Sequence, residues 1–166
     1  MGDWNNADGL NIKFGVTKPD NLAQGGEVRS NGSRHTLTYR FDYTAVPSFT
    51  ADLNNDGTKN GFSLQDVGVP AGASVESAKL RVGTAWAGGT SLAVGSYQDA
   101  GGVIDADGYI DATAGATANL TAGSIITGAG ADVGELVHAS AKAYTVVAVV
   151  GTFTAGDAEI IIDYIV

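Results

Sequence analysis

The chain has 166 residues, a formal net charge of −9 and no cysteine. That length holds one domain with a full core, or one domain with an arm, and the absence of cysteine excludes both a disulfide framework and a thiolate metal site. Nine Lys and Arg against eighteen Asp and Glu give a surface that repels a phosphate backbone, so nucleic-acid binding is disfavoured.

The predicted elements open with a segment unlike the rest. Within residues 1–33, the stretches 3–9 (DWNNADG) and 24–27 (QGGE) read as turns, and 10–14 (LNIKF) reads as one short strand. The segment is expected to form an extended N-terminal arm ahead of a body at 34–166. It carries Trp4, Leu10, Ile12 and Phe14, apolar anchors that a short arm cannot bury alone. Such groups either fold back on their own body or find a partner surface. Trp4 is the strongest candidate for an intermolecular contact. Met1 is not followed by a charged stretch and an apolar run, so no signal peptide is expected.

Residues 34–44 (RHTLTYRFDYT) alternate cleanly. His35, Leu37, Tyr39, Phe41 and Tyr43 fall on one face; Thr36, Thr38, Arg40 and Asp42 fall on the other. That is a strand with one wet face, and His35 is read as a residue at its entrance rather than a ligand. Next comes 52–63, DLNNDGTKNGFS. Asp52, Asn54 and Asp56 recur at alternate positions before Gly57, like the opening of a calcium loop. The twelfth position needs a bidentate Glu and holds Ser63, and the flanks are strand-like rather than helical. The stretch is therefore read as a solvated loop between strands, with no metal.

A strand at 62–69 closes in the turn VPAGA at 69–73, and another follows at 75–84. Val75 is out of parity with Ala78, Leu80 and Val82, which a bulge or a late strand start near Ser77 would reconcile. Residues 85–89, including Trp86, read as a turn, and 92–97 as a strand. The stretch 98–118 reads as loop-rich, with Asp105, Asp107 and Asp111 at its centre and a turn of helix at 109–114. Short strands at 124–127 and 136–137 flank a turn at 128–134. Strands at 143–150 and 157–166 (DAEIIIDYIV), joined by a Gly-bounded turn, predict a hairpin central to the core. The longest apolar run, VVAVV at 146–150, is far too short to span a bilayer, so no membrane partner is expected. Some eight strands separated by turn signals, with 24 Gly and little charge, define the expected fold class: all-β, a jelly-roll-like β-sandwich with an N-terminal arm.

No chemistry stands out. The two histidines, His35 and His138, are far apart in sequence, and no His, Asp and Glu share metal-ligand spacing. No serine sits in a nucleophile elbow. Asp105, Asp107 and Asp111 are ordinary turn formers as much as a carboxylate pair. The expectation is a non-enzymatic protein without catalytic residues or cofactor.

The opening Trp4-Asn-Asn-Ala-Asp-Gly-Leu-Asn-Ile-Lys-Phe-Gly15, the pair Gly25-Gly26 before Glu27, the turn at 69–73 and the terminal Ile162-Asp-Tyr-Ile165 resemble tailed-bacteriophage head decoration (capsid cement) proteins. The resemblance implies a virion protein on the outer capsid surface, assembled in the host cytoplasm. It implies the major capsid protein and further copies of the chain, as a homotrimer, for partners. The runner-up is a carbohydrate-binding sandwich module or tail-associated adhesin, with Trp86, Tyr97 and Tyr109 as exposed rings for stacking on sugars.

Overall fold

The computed structural model describes residues 3–5, 11–14, 26–46, 61–98, 102–137, 139–140 and 142–166. Among them the strands are β1 (Asp3–Asn5), β2 (Asn11–Phe14), β3 (Gly26–Asn31), β4 (Arg34–Asp42), β5 (Gly61–Val69), β6 (Ser74–Ala87), β7 (Ser91–Gln98), β8 (Gly102–Ile110), β9 (Ile125–Thr127), β10 (Ala143–Val150) and β11 (Ala155–Ile165). None of the described residues is helical.

The strands form two sheets, of order β1-β2-β3-β4-β11-β6-β9 and β5-β10-β7-β8. From β4 onward the pairing follows one rule. Each strand of the first half pairs antiparallel with a strand of the second: β4 with β11, β5 with β10, β6 with β9, and β7 with β8. The eight strands are thus one long antiparallel ribbon, folded back between β7 and β8. Winding the ribbon brings β11 against β6 and β10 against β7. This is the double-sheet jelly roll.

Alternation explains why the two sheets close on each other. Leu37, Tyr39 and Phe41 of β4 stand opposite Ile162, Ile160 and Ala158 of β11 in the ladder, and all six are buried. From β6 come Val75, Ala78, Leu80, Val82 and Trp86. The second sheet contributes Leu92 and Val94 of β7, and Ala143 and Val147 of β10. Full burial of one such aliphatic or aromatic side chain contributes roughly 1.5–3 kcal/mol, so this shared layer is the main stabilising element. The parity break at the start of β6 is resolved by a bulge: Asp163 pairs with Ser77 but Tyr164 pairs with Val75, leaving Glu76 as the extra residue.

Several local expectations are corrected. Trp86 lies in β6, not in a turn, because the strand runs on to Ala87 and the indole is buried. The stretch 98–118 holds a full strand, β8, whose ladder to β7 is irregular, and that irregularity masks its period in the sequence. In place of a helical turn at 109–114, β8 ends at Ile110 and Asp111 caps a tight turn, its Oδ1 accepting from the backbone N–H groups of Thr113 and Ala114. Residues 136–137 form no strand; Leu136 makes a single bridge to Ser74. The terminal hairpin is also absent. β10 and β11 lie in different sheets, and the chain crosses between them at 151–154. Each has a neighbour on both sides within its own sheet, which side-by-side pairing would exclude.

Residues 128–136 close the flank between the sheets. The N–H of Gly128 donates to the Ala78 carbonyl, Gly130 to Tyr109, Asp132 to Gly108 and Gly134 to Val75. A side chain at Gly130 would run into the Gly108 backbone, so the segment lies this close only because position 130 is glycine.

Candidate interaction surface

Among the described residues of 1–33, three stretches are strands, and they continue the larger sheet beyond β4. Asp3–Asn5, within a stretch that reads as a turn in the sequence, is β1, and Gly26–Asn31, whose first two residues read as part of a turn, is β3. β3 pairs with β4 from Gly26↔Tyr39 to Asn31↔Arg34. β2 joins β3 through Lys13↔Val28 and Phe14↔Glu27, and β1 joins β2 with Trp4 opposite Ile12. Three of the four anchors therefore fall on two adjacent short strands. Leu10 lies outside the described residues. Among the described strands β1 has a neighbour on one side only, and an edge strand offers a row of free backbone donors and acceptors to another chain.

Farther into the same sheet, the outer face of β4, β11 and β6 is a lattice of charge. Arg34 Nη2 lies 2.7 Å from Glu76 Oε1, Arg40 Nη2 3.1 Å from Asp157 Oδ2, Arg81 Nη2 2.6 Å from Glu159 Oε2, and Lys79 Nζ 3.9 Å from Asp163 Oδ2. The cations are 42–70% exposed and their carboxylate partners only 23–32%. Short carboxylates sit at sheet level while long cationic side chains stand above them. Two shallow depressions open here: one of about 410 Å³ over Asp163, and one of about 240 Å³ between Arg40, Arg81 and the exposed Ile125. The sequence shows this face only as the polar half of each alternating strand; which charges meet depends on the strand order.

Asp163 is the centre of the lattice. It accepts hydrogen bonds from Thr36 Oγ1 (2.7 Å) and Ser77 Oγ (2.8 Å) on the two flanking strands. Burial pushes its carboxyl up, but these bonds and the charges of Lys79 and Arg34 outweigh it and hold the group below the usual carboxylate range. A folded-state pKa below the unfolded value gives stability that is present at neutral pH and lost as pH falls through the folded value. Asp163→Asn is therefore expected to lower the melting temperature at pH 7, with a deficit that shrinks as the pH drops below about 4. Parallel melts of the two proteins across pH measure this, and a deficit independent of pH would contradict it.

A second set of carboxylates behaves in the opposite way. Asp132, on the closing segment, accepts from the buried Ser96 Oγ at 2.6 Å. Burial pushes its carboxyl up, the Ser96 bond pulls it partly back, and the charge of Asp105 pushes it up further. Asp107 is raised by its hydrogen bond with Asp105, then by burial and by the charges of Asp105 and Asp111. Asp105 Oδ1 also accepts from the Asp107 backbone N–H, and Asp111 caps its own turn.

The remaining candidates are placed as follows. His35 is half-buried at the start of β4, stacked on Tyr164 with ring centroids 5.2 Å apart. Trp86, Tyr97 and Tyr109 are all buried, so none offers the exposed ring that sugar stacking needs. His138 and residues 47–60, with Asp52, Asn54 and Asp56, lie outside the described residues. Chelation is expected to leave the melting temperature unchanged, since an ion stabilises only the state that binds it. A fall of several degrees, restored by calcium and abolished by Asp56→Ala, would place an ion in that loop.

The fold is similar to that of a chain in the cyanophage Pam1 capsid asymmetric unit, with a TM-score of 0.50 and 17% identity over 91% of this chain and 92% of that one. It is also similar to a chain in the capsid of Ralstonia phage GP4, with a TM-score of 0.50 and 19% identity over 78% of this chain and 83% of that one. No protein-family model and no curated protein matches the sequence. At these identities the likeness is one of fold.

Proposed function

We propose that this chain is a non-enzymatic structural protein of a bacteriophage virion, which decorates and stabilises the outer capsid surface by binding the major capsid protein lattice. The observation that carries the reading is the wound eight-stranded ribbon with extra strands added at its β4 side, a fold similar over nine-tenths of the chain to one found in a phage capsid. The sequence resemblance to head decoration proteins points the same way. In this reading the jelly roll is the body, and the segment 1–33 with Trp4, Leu10, Ile12 and Phe14 reaches the lattice. Three copies gather around a symmetry axis, so three such segments act together. The acidic surface suits a protein kept away from packaged DNA.

Immunogold labelling of intact virions with antibody to this chain tests the placement. Gold over the heads of unbroken particles is expected. Gold confined to tails, or appearing only after the particles are opened, would overturn the reading.

A further inference from the structure

The segment 128–136 ties the two sheets together with few bonds. It contains no strand, only the isolated bridges of Val133 to Val75 and of Leu136 to Ser74. Its N–H groups at Gly128 and Gly134 donate to β6, and those at Gly130 and Asp132 donate to β8. The side chain of Asp132 adds a bond to β7, accepting from Ser96. That carboxylate sits in a crowded place. Ser96 stands opposite Asp105 in the β7–β8 ladder, so two acids stand at one buried serine. Both also press on Gly108, where an added Cβ would meet the Asp132 carboxylate and the Asp105 Cβ. Among the described residues no ion pair reaches either acid. From β7, Asp132 faces Ser96; from β8, it faces Asp105, itself against Asp107, and the buried Tyr109 phenol. β6 meets the segment through backbone bonds at Ala78 and Val75, and Glu135, the segment's other acid, is exposed.

We infer that residues 128–136 are a strap whose grip on the flank is governed by the charge of Asp132: loose while the carboxylate is ionised beside Asp105, and tight once it is neutral. A neutral carboxyl keeps an oxygen for the Ser96 bond and ends the repulsion with Asp105. Burial pushes the Asp132 carboxyl up, the Ser96 bond pulls it partly back, and the charge of Asp105 adds to the rise. The closed strap therefore holds its proton to a higher pH than the open one. Closure gains as pH falls through the closed-state value, and the gain is complete below the open-state value. This is opposite to Asp163, where acid removes stability. Five of the nine strap residues are exposed, so the strap opens without unfolding the sheets behind it. It needs no capsid, so the strap and the virion role fail separately.

Native-state hydrogen exchange of the full chain, read residue by residue by NMR between about pH 7 and about pH 5 and corrected for the intrinsic pH dependence of exchange, gives the test. The reporters are the amides of Gly128, Gly130, Asp132 and Gly134, and the amides of β4 and β11 report global opening. On acidification the wild-type strap amides are expected to gain protection on the order of ten-fold relative to the core amides. Asp132→Asn is neutral at every pH and keeps an oxygen for Ser96. Its strap should be as protected at neutral pH as the wild type's is in acid, with no further gain. Ser96→Ala should lower the protection of the same amides throughout. Strap amides that exchange only together with the core, or wild-type protection that does not rise toward acid, would overturn the assignment. So would an Asp132→Asn strap as loose as the wild type's at neutral pH, or a Ser96→Ala strap as tight as the wild type's.

Discussion

Trp86→Ala is expected to cost about 3–5 kcal/mol of folding stability, which for a chain of this size lowers the melting temperature by roughly 10 °C. Trp86 sits near the end of β6, where the chain crosses between the sheets at 151–154. Its indole meets Phe41 at 5.5 Å and Phe153 edge-on at 5.1 Å, with an interplanar angle of 85° for the second pair. It thereby links β4, β6 and the crossing before β11. The backbone around it is shaped to the ring: Gly156 has φ of +132°, and a Cβ there would overlap the indole. Removing the ring leaves a cavity between elements that cannot collapse without moving the crossing. Gly156→Ala should destabilise by a comparable route, combining overlap with backbone strain. Denaturant unfolding measures both. A loss below about 1 kcal/mol for Trp86→Ala, the range of ordinary surface changes, would show that this cluster does not hold the corner.

The second large effect concerns attachment. Deleting residues 1–16 removes β1 and β2 and leaves β3 paired with β4. Among the described residues two pairs, Lys13↔Val28 and Phe14↔Glu27, join β2 to β3, so the jelly roll is expected to fold without them. Capsid attachment is expected to weaken far more. A single segment makes a small contact, but in the trimer proposed above three act together, and linked contacts can raise affinity by roughly 10²–10⁴-fold. That gain disappears with the segments. Trp4→Ala should produce part of the same loss, since a buried aromatic anchor carries a disproportionate share of interface energy. Titrating capsids with the truncated and substituted proteins measures the two effects, and attachment equal to the full chain would remove the segment from the mechanism.

Much of the fold was legible because period two is a local signal. The face of β4 with Leu37, Tyr39 and Phe41 and the face of β11 with Ile160 and Ile162 follow from which residues alternate, and the break in parity at Val75 showed an irregularity that the ladder resolves as a bulge. Pairing is not local. β10 and β11 are adjacent in sequence and both apolar, which reads as a hairpin, yet they belong to different sheets. β8 was hidden by glycines, aspartates and a broken register. Trp86 was hidden by the Ala and Gly around it, which mark a turn three residues too early. The charged face could not be seen at all from one strand. Arg40 and Arg81 lie far apart in sequence, and only the order β4-β11-β6 sets both beside Glu159 in the ladder.

The central claim is that this chain binds a preformed capsid lattice. Co-sedimentation of the purified full-length protein with capsid shells assembled from the major capsid protein alone tests it most directly. Saturable binding, with a fixed number of copies per shell and no binding to unassembled capsid protein, is the expected result. Full-length protein left in the supernatant at every concentration would contradict the claim.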